Sequence, residues 1–401
     1  MTAFDWLQHP NVQTLFAAFG DVPLRFVGGC VRDSLMGRPV ADKDAATPAS
    51  PQTILSLAKA AGLKAIPTGI EHGTITVVVE NEPFEITTLR RDVACDGRHA
   101  DVSFTDDWQE DAMRRDFTMN ALYCDARGTV YDYTNGKADA RVGYLRFIGD
   151  PEARLAEDGL RLLRFFRFYA TFGHGAPDPA ALQACQNEAA RLKDISGERI
   201  RSEMLKLLAA GDPVPALEFM GPVFPYILPD GDYALSQLSI IPAQLEHAAF
   251  ARLALLLRQR SHRETAVARL GSAWQLSRKQ QRLLNLFVTH PTIAIPDAPA
   301  GWMPVRRHHD WADFAALAWV EAVEQKAGLP QFQTQLDALQ KMAVPILPIR
   351  GGDLKQHGIP EGGEMGELLR RAERYWEAKH YRPTKMDLVH YARSLRPPKL
   401  S

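Results

Sequence analysis

The stretch FVGGCVRDSLMGRPVADKDAAT, residues 26–47, decides the fold of this chain. An apolar strand from Leu24 leads into Gly28 and Gly29, and a helix is expected after them. Glycines without side chains let backbone N–H groups approach an anion, and the start of a helix adds the positive end of its dipole. Arg32 adds a full positive charge for the same anion. The first half of the stretch therefore predicts a phosphate-binding turn.

The second half of the stretch holds Asp42 and Asp44, separated by one residue. Side chains alternate along an extended segment, so the two carboxylates are expected on one face. Mg²⁺ prefers hard oxygen ligands and usually reaches a protein through one or two carboxylates and the substrate's phosphates. The pair therefore predicts a catalytic Mg²⁺ site. Glu85, central on an apolar strand where an unpaired charge is costly, is either a third carboxylate of this site or the ion-pair partner of Arg90 or Arg32.

The whole stretch is neither a P-loop nor a dinucleotide-binding fingerprint. It resembles the signature of the class II tRNA nucleotidyltransferase and bacterial poly(A) polymerase family. Three further blocks match the family in order: FEITTLR at 84–90, RRDFTMNA at 114–121 and EDGLRLLR at 157–164. The resemblance is clear over residues 20–210, and the segments 351–354 and 358–369 are similar to the family's tail. It implies a head, a neck, a body and a tail, with the active site between head and neck.

The fold class follows from the change of periodicity along the chain. Residues 24–126 alternate short apolar runs, at 24–28, 63–67, 74–79 and 84–89, with turn signals, whereas residues after Pro151 follow a helical period. We predict an α+β protein. A mixed-sheet nucleotidyltransferase head at 1–145 precedes an all-α part, which comprises a base-recognition neck at 146–215 and an RNA-binding body and tail at 216–401. Proline-bearing breaks at 291–304 and 345–348 predict loops or joints.

The block at 157–164 suggests how a nucleotide base is recognised. On one continuous helix Arg161, Arg164 and Arg167 share a face, and Asp158 lies at its edge. An ionised Asp only accepts hydrogen bonds and an Arg only donates them. Cytosine and adenine present an amine beside a ring acceptor, so Asp158 and Arg161 predict selection of C and A without a template, as the resemblance also implies. The alternative is an amphipathic surface helix in which Glu157 pairs with Arg161.

Further basic residues are candidates for phosphate contacts. Gly28, Gly29, Arg32 and Arg115 are expected on the nucleotide phosphates, and Arg164 and Arg167 either join them or orient the base-reading pair. For Arg115 and Asp116 the alternatives are a helix-capping ion pair and a phosphate or ribose contact, which the resemblance implies.

The net charge of −1 does not exclude RNA, because basic residues are concentrated between Arg252 and Arg282. This segment is either a phosphate-binding surface or a pair of solvated helix faces. The candidate RNA contacts within it are Arg258, Arg260, Arg278, Lys279 and Arg282.

Composition predicts a cytoplasmic protein. No apolar run has the eighteen or more residues of a membrane span, and the N-terminus lacks the basic region of a secretory signal. The four cysteines are far apart in sequence, which indicates reduced thiols and not a zinc site or a disulfide framework. The histidines show no metal-binding spacing.

The resemblance implies template-independent addition of CCA to the 3′ end of tRNA from CTP and ATP. A poly(A) polymerase that uses only ATP is the nearest alternative, and the short C-terminal segment PPKLS favours tRNA over it, because such polymerases tend to carry basic extensions. An enzyme that adds only CC or only A is another alternative. A noncatalytic RNA-binding protein is disfavoured, because both Asp42 and Asp44 are present.

Overall fold

The computed structural model describes residues 4–95, 100–228, 233–259 and 262–395. They form two compact units: the first comprises residues 1–244 and 248–289, and the second comprises 245–247 and 290–401. The first unit contains a seven-stranded sheet followed by helices, which confirms the predicted α+β class. Within the described ranges, no helix is long and apolar enough to cross a membrane.

The sheet has the order β3-β4-β5-β2-β1-β8-β9. Strands β2 and β5 pair in parallel, and the other neighbours in this sheet pair antiparallel, while β6 and β7 form a separate hairpin. The strands are β1 Arg25–Val27, β2 Ala45–Thr47, β3 Lys64–Gly69, β4 Thr74–Val79, β5 Glu82–Thr88, β6 Arg90–Cys95, β7 Ala100–Phe104, β8 Leu122–Cys124 and β9 Val130–Asp132.

The hairpin between β4 and β5 fixes the position of Glu85. Its two turn residues, Glu80 and Asn81, have φ values of +46° and +69°, as a two-residue hairpin turn with the strands' right-handed twist requires. Alternation along β5 then buries Phe84 and Ile86 in the core and leaves Glu85 exposed on the opposite face. Glu85 is therefore not a buried charge in need of a salt bridge.

Helices dominate the chain after residue 150, as predicted. The helices of the first unit are α1 Pro10–Phe19, α2 Gly29–Leu35, α3 Pro51–Ala60, α4 Trp108–Met113, α5 Gly136–Val142, α6 Pro151–Glu157, α7 Leu160–Phe172, α8 Pro179–Asn187, α9 Gly197–Leu208, α10 Val214–Phe219, α11 Phe224–Ile227, α12 Ala248–Arg258, α13 Arg263–Ala273 and α14 Arg278–Thr289. Those of the second unit are α15 Met303–Arg306, α16 Trp311–Glu324, α17 Leu329–Gln340, α18 Gly351–Gln356, α19 Gly363–Ala378 and α20 Lys385–Ser394. Short 3₁₀ turns lie at Asp5–Gln8, Ile70–His72, Thr118–Asn120, Ala189–Asp194, Gly221–Val223, Leu235–Ile240 and Pro299–Trp302.

Local sequence explains where several helices begin. Asp150 precedes Pro151 and accepts a hydrogen bond from the backbone N–H of Ala153 at 2.8 Å, which caps α6. Ser50 caps α3 in the same way through Thr53. Residues 343–350 lie outside the helices, which confirms the predicted break at 345–348. Of the break predicted at 291–304, only residues 291–298 lie outside the helices, because a 3₁₀ turn begins at Pro299 and α15 at Met303.

Two arginines of the predicted RNA-binding segment are buried, which corrects that prediction for both. Arg252 has no exposed surface, and its five N–H donors bind five backbone carbonyls. Arg258 is 2% exposed and donates to the carbonyl of Phe287 at 2.6 Å. Both side chains lie on the apolar side of α12, where carbonyl acceptors compensate their lost hydration.

The cysteines whose side chains are described are buried free thiols, namely Cys30, Cys124 and Cys185. Burial, together with the negative charge of Asp44, raises the pKa of Cys30 to about 12. These thiols are therefore structural and unreactive at neutral pH. The side chain of Cys95 lies outside the described part of the chain.

Candidate active site

The glycine turn lies where β1 ends and α2 begins. Gly28 has φ +73° and ψ −119°, a conformation that a side chain would strain, and Gly29 is the first residue of the helix. The backbone N–H of Val27 donates to the carbonyl of Asp44 at 2.8 Å. A Cβ placed on Gly28 would lie 3.8 Å from a terminal guanidinium nitrogen of Arg115. The predicted turn, one aspartate and one arginine therefore lie together.

The three predicted carboxylates share one electrostatic neighbourhood. Asp44 directly precedes β2, and the register Ala45↔Ile86 places it beside Glu85 at the entrance of the parallel pair. Desolvation, together with the negative charges of Glu85 and Asp42, raises the pKa of Asp44 to about 6. Asp42 and Asp44 lie on an irregular segment and not on a strand, so strand alternation does not determine where their side chains point. The register of the sheet places Asp44 next to Glu85 instead.

These carboxylates fit a divalent cation. Within the described ranges, none of Asp42, Asp44 and Glu85 forms an ion pair with a basic side chain, although the positive charge of Arg115 acts on Asp44 and partly offsets the rise of its pKa. All three offer hard oxygen donors of the kind that Mg²⁺ prefers. The site therefore has the donor set and the excess negative charge that metal-dependent phosphoryl chemistry requires.

Arg115 is held by a buried carboxylate that the sequence reading missed. Asp111, 1% exposed, accepts from Arg115 at 3.0 Å, from Arg114 at 2.7 Å and from the hydroxyl of Tyr123 at 2.7 Å. Burial alone would raise the pKa of Asp111, but the charges of Arg115 and Arg114 hold it well below its usual range. The spacing i, i+3, i+4 in DAMRR is the sequence signal for these pairs.

Asp116 connects the Arg-Arg-Asp block to helix α7. Its carboxylate accepts from the guanidinium of Arg164 at 2.9 Å and from the amide of Asn120 at 3.1 Å. Burial would raise the pKa of Asp116, but Arg164 lowers it. Asp116 and Arg115 therefore bind different partners, and the helix-capping ion pair considered as an alternative is not formed.

The helix that is predicted to read the base is interrupted, which corrects the predicted geometry. Helix α6 ends at Glu157, Asp158 is extended with φ −153° and ψ 106°, and α7 starts at Leu160. Asp158 accepts from the backbone N–H of Leu160 at 3.0 Å and from the guanidinium of Arg199 at 2.6 Å. Its position relative to Arg161 therefore cannot be read from a helical wheel.

The remaining arginines of this region also have protein partners. Arg161 pairs with Glu157, as the amphipathic-helix alternative predicts, and Arg167 pairs with Glu203 of α9. Arg154 donates to the carbonyls of Arg114 and Arg115 at 2.5 and 2.6 Å. These contacts attach helices α6, α7 and α9 to one another and to the Arg-Arg-Asp block.

Arg32 is 7% exposed and is bound by protein groups. Its guanidinium donates to Asn120 at 2.6 Å and to Asp33 at 2.9 Å, and its central carbon lies 3.8 Å from the ring centroid of Phe172. Burial lowers the pKa of Arg32. A phosphate contact by Arg32 stays a prediction.

Three of the predicted RNA contacts are solvent-accessible. Arg278, Lys279 and Arg282 are exposed on the first turns of α14. Arg260 lies outside the described residues. The surface predicted from residues 252–282 is thus smaller than the sequence suggested.

Residues Arg199 and Glu203 were not found by sequence reasoning. They lie 41 and 36 positions from their partners Asp158 and Arg167. The i, i+4 spacing of Arg199 and Glu203 on α9 indicates a shared helix face, but no sequence pattern identifies the residues that this face contacts.

A second group of metal-type ligands lies in the other unit. His308, Glu373 and Glu377 have ligand atoms within 4.8 Å of one another. Arg307 donates to both glutamates at 2.7 Å. The guanidinium of Arg307 already supplies a positive charge to both glutamates, so this group is best described as an ion-pair cluster.

The chain matches two family models. One, described as the Poly A polymerase head domain, matches residues 24–146, and the other, described as the probable RNA and SrmB-binding site of polymerase A, matches residues 176–232. The first match contains the glycine turn and the three carboxylates.

Known proteins match over nearly the whole length. Mouse mitochondrial CCA tRNA nucleotidyltransferase 1 is 35% identical over 405 residues, which cover 96% of this chain and 92% of that protein. The CCA-adding enzyme of Lactiplantibacillus plantarum is 35% identical over 379 residues, 90% of this chain and 89% of that protein. The solved structure of the Bacillus stearothermophilus CCA-adding enzyme in complex with CTP has a TM-score of 0.75 at 27% identity and covers 96% of this chain and 98% of that chain.

Proposed function

The chain belongs to the class II family of CCA-adding enzymes and poly(A) polymerases, and we propose from this premise that it adds or repairs the 3′-terminal CCA of tRNA. The observation that carries the proposal is the match over nine-tenths or more of the chain to proteins named for CCA addition, at 35% identity. The protein is an RNA nucleotidyltransferase, with CTP and ATP as donors and the tRNA 3′ end as acceptor. The proposed head, neck, and body and tail at 1–145, 146–215 and 216–401 divide this work.

In the proposed reaction the 3′-hydroxyl of the RNA attacks the α-phosphate of the bound nucleotide, and pyrophosphate leaves. Asp42 and Asp44, with Glu85 beside them, would hold Mg²⁺, which when bound supplies positive charge for the attacking and leaving oxygens. Gly28 and Gly29 let the backbone approach the phosphates. Arg115, adjacent to Gly28, would bind them and keep the α-phosphate in line for attack.

Base selection is assigned to Asp158 and Arg161. Asp158 would accept a hydrogen bond from the exocyclic amine of cytosine or adenine, and Arg161 would donate to the adjacent ring nitrogen. In the structure Asp158 pairs with Arg199, and Arg161 pairs with Glu157. These partners would either orient the two side chains toward the base or be displaced when the base binds. Arg164 and Arg167 would have one of two roles. They would contact the nucleotide phosphates, or they would help to position Asp158 and Arg161 through their ion pairs with Asp116 and Glu203.

The deciding experiment supplies the purified protein and Mg²⁺ with tRNA transcripts that end before CCA, after C and after CC, together with labelled CTP, ATP or both. Addition that stops at CCA is expected. An open-ended A tail would indicate the poly(A) polymerase alternative, and addition of only CC or only A would indicate a partial enzyme. Absence of any addition would contradict the proposal. Omission of Mg²⁺ and substitution by Ca²⁺ test the choice of metal.

Replacement of Asp158 by alanine should relax nucleotide choice more than it weakens RNA binding. One lost base-specific contact corresponds to ~1–3 kcal/mol, so the preference for CTP over UTP should fall by a factor of about 5 to 150. The measurement is kcat/KM for all four nucleotides, with tRNA affinity measured alongside. Asp194→Ala, an exposed aspartate of the same region, is the matched control. Unchanged selectivity against UTP and GTP would refute the base-reading role.

Replacement of Asp111 by asparagine should impair phosphate binding without changing base choice. The variant keeps the side-chain volume but removes the charge that positions Arg115, so the KM values for CTP and ATP should rise together, by about tenfold. The exposed Asp106→Asn provides a matched control in the same unit. A folded Asp111→Asn enzyme with normal KM for both nucleotides would contradict this positioning role.

A cytoplasmic location is proposed from the sequence alone. The names of the mouse and human relatives include the word mitochondrial, so fractionation of cells that express the tagged full chain is the relevant measurement.

A further inference from the structure

The residue between the two proposed metal ligands, Lys43, is anchored to the sheet. Asp42 and Asp44 are solvent-accessible, whereas the Lys43 side chain is only 15% exposed. Its ammonium lies 2.5 Å from a carboxylate oxygen of Glu82, the first residue of β5. Residues 42–44, which we call the carboxylate segment, therefore have an ion pair on their middle residue.

This anchor lies on the opposite face of β5 from the carboxylates. Alternation along β5 places Glu82 and Phe84 on one face and Glu85 on the other. The Lys43 ammonium lies 6.0 Å from the ring centroid of Phe84. Asp44, in contrast, lies beside Glu85, whose negative charge acts on it. Lys43 and Asp44 therefore extend from the carboxylate segment toward opposite faces of the sheet.

Glu82 is itself held by another element of the first unit. Its second carboxylate oxygen accepts a hydrogen bond at 2.9 Å from the side-chain amide of Asn11, in the first turn of α1. Burial would raise the pKa of Glu82, but the hydrogen bonds from Lys43 and Asn11 hold it below its usual value. Glu82 is therefore ionised at neutral pH and holds the Lys43 ammonium by charge as well as by a hydrogen bond. The ion pair thus connects the carboxylate segment to β5 and α1.

Backbone contacts hold only one end of the carboxylate segment. The carbonyl of Asp44 accepts from the N–H of Val27 at 2.8 Å and from the thiol of Cys30 at 3.8 Å. These contacts fix the backbone where the segment joins β2. The ion pair of Lys43 adds a side-chain anchor one residue earlier, between the two aspartates.

We propose that Lys43 and Glu82 are positioning residues of the metal site, whose ion pair directs Asp42 and Asp44 together toward the cation. Side chains of successive residues in an extended chain point to opposite sides, so an anchor on the middle residue turns both neighbours to the other side. Groups that orient metal ligands typically change metal affinity or activity by about 10- to 100-fold when they are removed. The inference rests on the proposed function, since it names what holds the ligands of that reaction.

The first test replaces Lys43 by methionine in the full-length protein, which keeps the side-chain length and removes the charge. The dissociation constant for Mn²⁺, measured without substrate by water relaxation, should rise about tenfold. Loss of a positive charge near carboxylates would by Coulomb attraction alone make cation binding tighter, so the direction of the change separates positioning from a charge effect. The kcat for C addition should fall by a similar factor, while the KM for tRNA should not change.

The second test exchanges the two charges. Glu82→Gln, Lys43→Glu and Glu82→Lys should each weaken Mn²⁺ binding, whereas the double variant Lys43→Glu/Glu82→Lys restores an ion pair and should recover most of the affinity and kcat. A role confined to stability would change the unfolding midpoint but not Mn²⁺ affinity. Lys59→Met, an exposed lysine of α3, is the matched control and should leave both readouts unchanged.

Unchanged or tighter Mn²⁺ binding in folded Lys43→Met and Glu82→Gln proteins would overturn the positioning role. A charge exchange no better than its two single variants would also overturn it. Circular dichroism checks that each variant is folded. A wild-type protein that binds Mn²⁺ but extends no transcript would instead overturn the proposed function, because the metal measurement does not depend on turnover.

Discussion

Replacement of Asp42 by alanine is expected to abolish nucleotide addition while tRNA binding persists. The change removes a proposed metal ligand from a neighbourhood in which Asp44 and Glu85 are the other carboxylates, and it alters no backbone contact. Loss of one hydrogen-bond donor to a transition state costs about a hundred- to a thousandfold, and loss of a metal ligand should reach at least ~1,000-fold. Single-turnover addition of C to a truncated tRNA transcript measures the effect.

Two readouts separate this role from a structural one. Binding of Mn²⁺, followed by its paramagnetic effect on water relaxation, should weaken in Asp42→Ala without any turnover. Asp21→Ala, which changes an exposed aspartate of the same unit, should leave both metal binding and activity unaltered. An Asp42→Ala enzyme that loses tRNA binding as severely as it loses activity would count against the assignment.

Replacement of Arg252 by methionine is expected to cause the largest loss of stability of any single change considered. The side chain donates to the carbonyls of Leu208, Ala210 and Gly211 at the end of α9, and to those of Leu238 and Ile241. All five N–H donors of the guanidinium are used, and its positive charge also interacts favourably with the C-terminal end of α9. Methionine would leave five carbonyls, four of them in buried hydrogen bonds, without this donor, at about 1 kcal/mol or more each.

The free energy of unfolding should therefore fall by about 5 kcal/mol, measured by urea titration with circular dichroism. Arg269→Met, an exposed arginine on the neighbouring helix α13, is the control and should change stability by less than ~0.5 kcal/mol. Because α9 also carries Arg199 and Glu203, partial unfolding should impair base selection as well. A midpoint equal to that of the wild type would show that the carbonyls find other donors.

The sequence predicted elements well where local chemistry is specific. The strand before Gly28 was located because a glycine pair is a strong turn signal. It missed the short strands β2, β8 and β9, which have three residues each and form only through pairing with neighbours in the sheet. Propensity over three residues carries too little information to identify them.

Charged residues show most clearly what cannot be predicted from the sequence. From sequence, Arg252 and Arg258 belong to a basic surface, but α12 is enclosed by other elements and both side chains point inward to carbonyl acceptors. A helical wheel places Asp158 near Arg161, but the helix breaks at Asp158 and its carboxylate binds Arg199. Both errors arise because the burial and the partners of a side chain depend on residues distant in sequence.

The sequence by itself determined the candidate site of this protein: the glycine turn, the carboxylates Asp42 and Asp44, and the block at 157–164 that is predicted to read the base are contiguous signals whose residue types have specific physical uses. Only the tertiary structure decided how these groups are held, through Asp111 on Arg115, Arg199 on Asp158 and Glu203 on Arg167. The physical reason is the distance along the chain over which each kind of interaction acts. Backbone conformation responds to neighbouring residues, whereas a charged side chain takes whichever opposite charge or carbonyl the folded chain brings within a few ångströms.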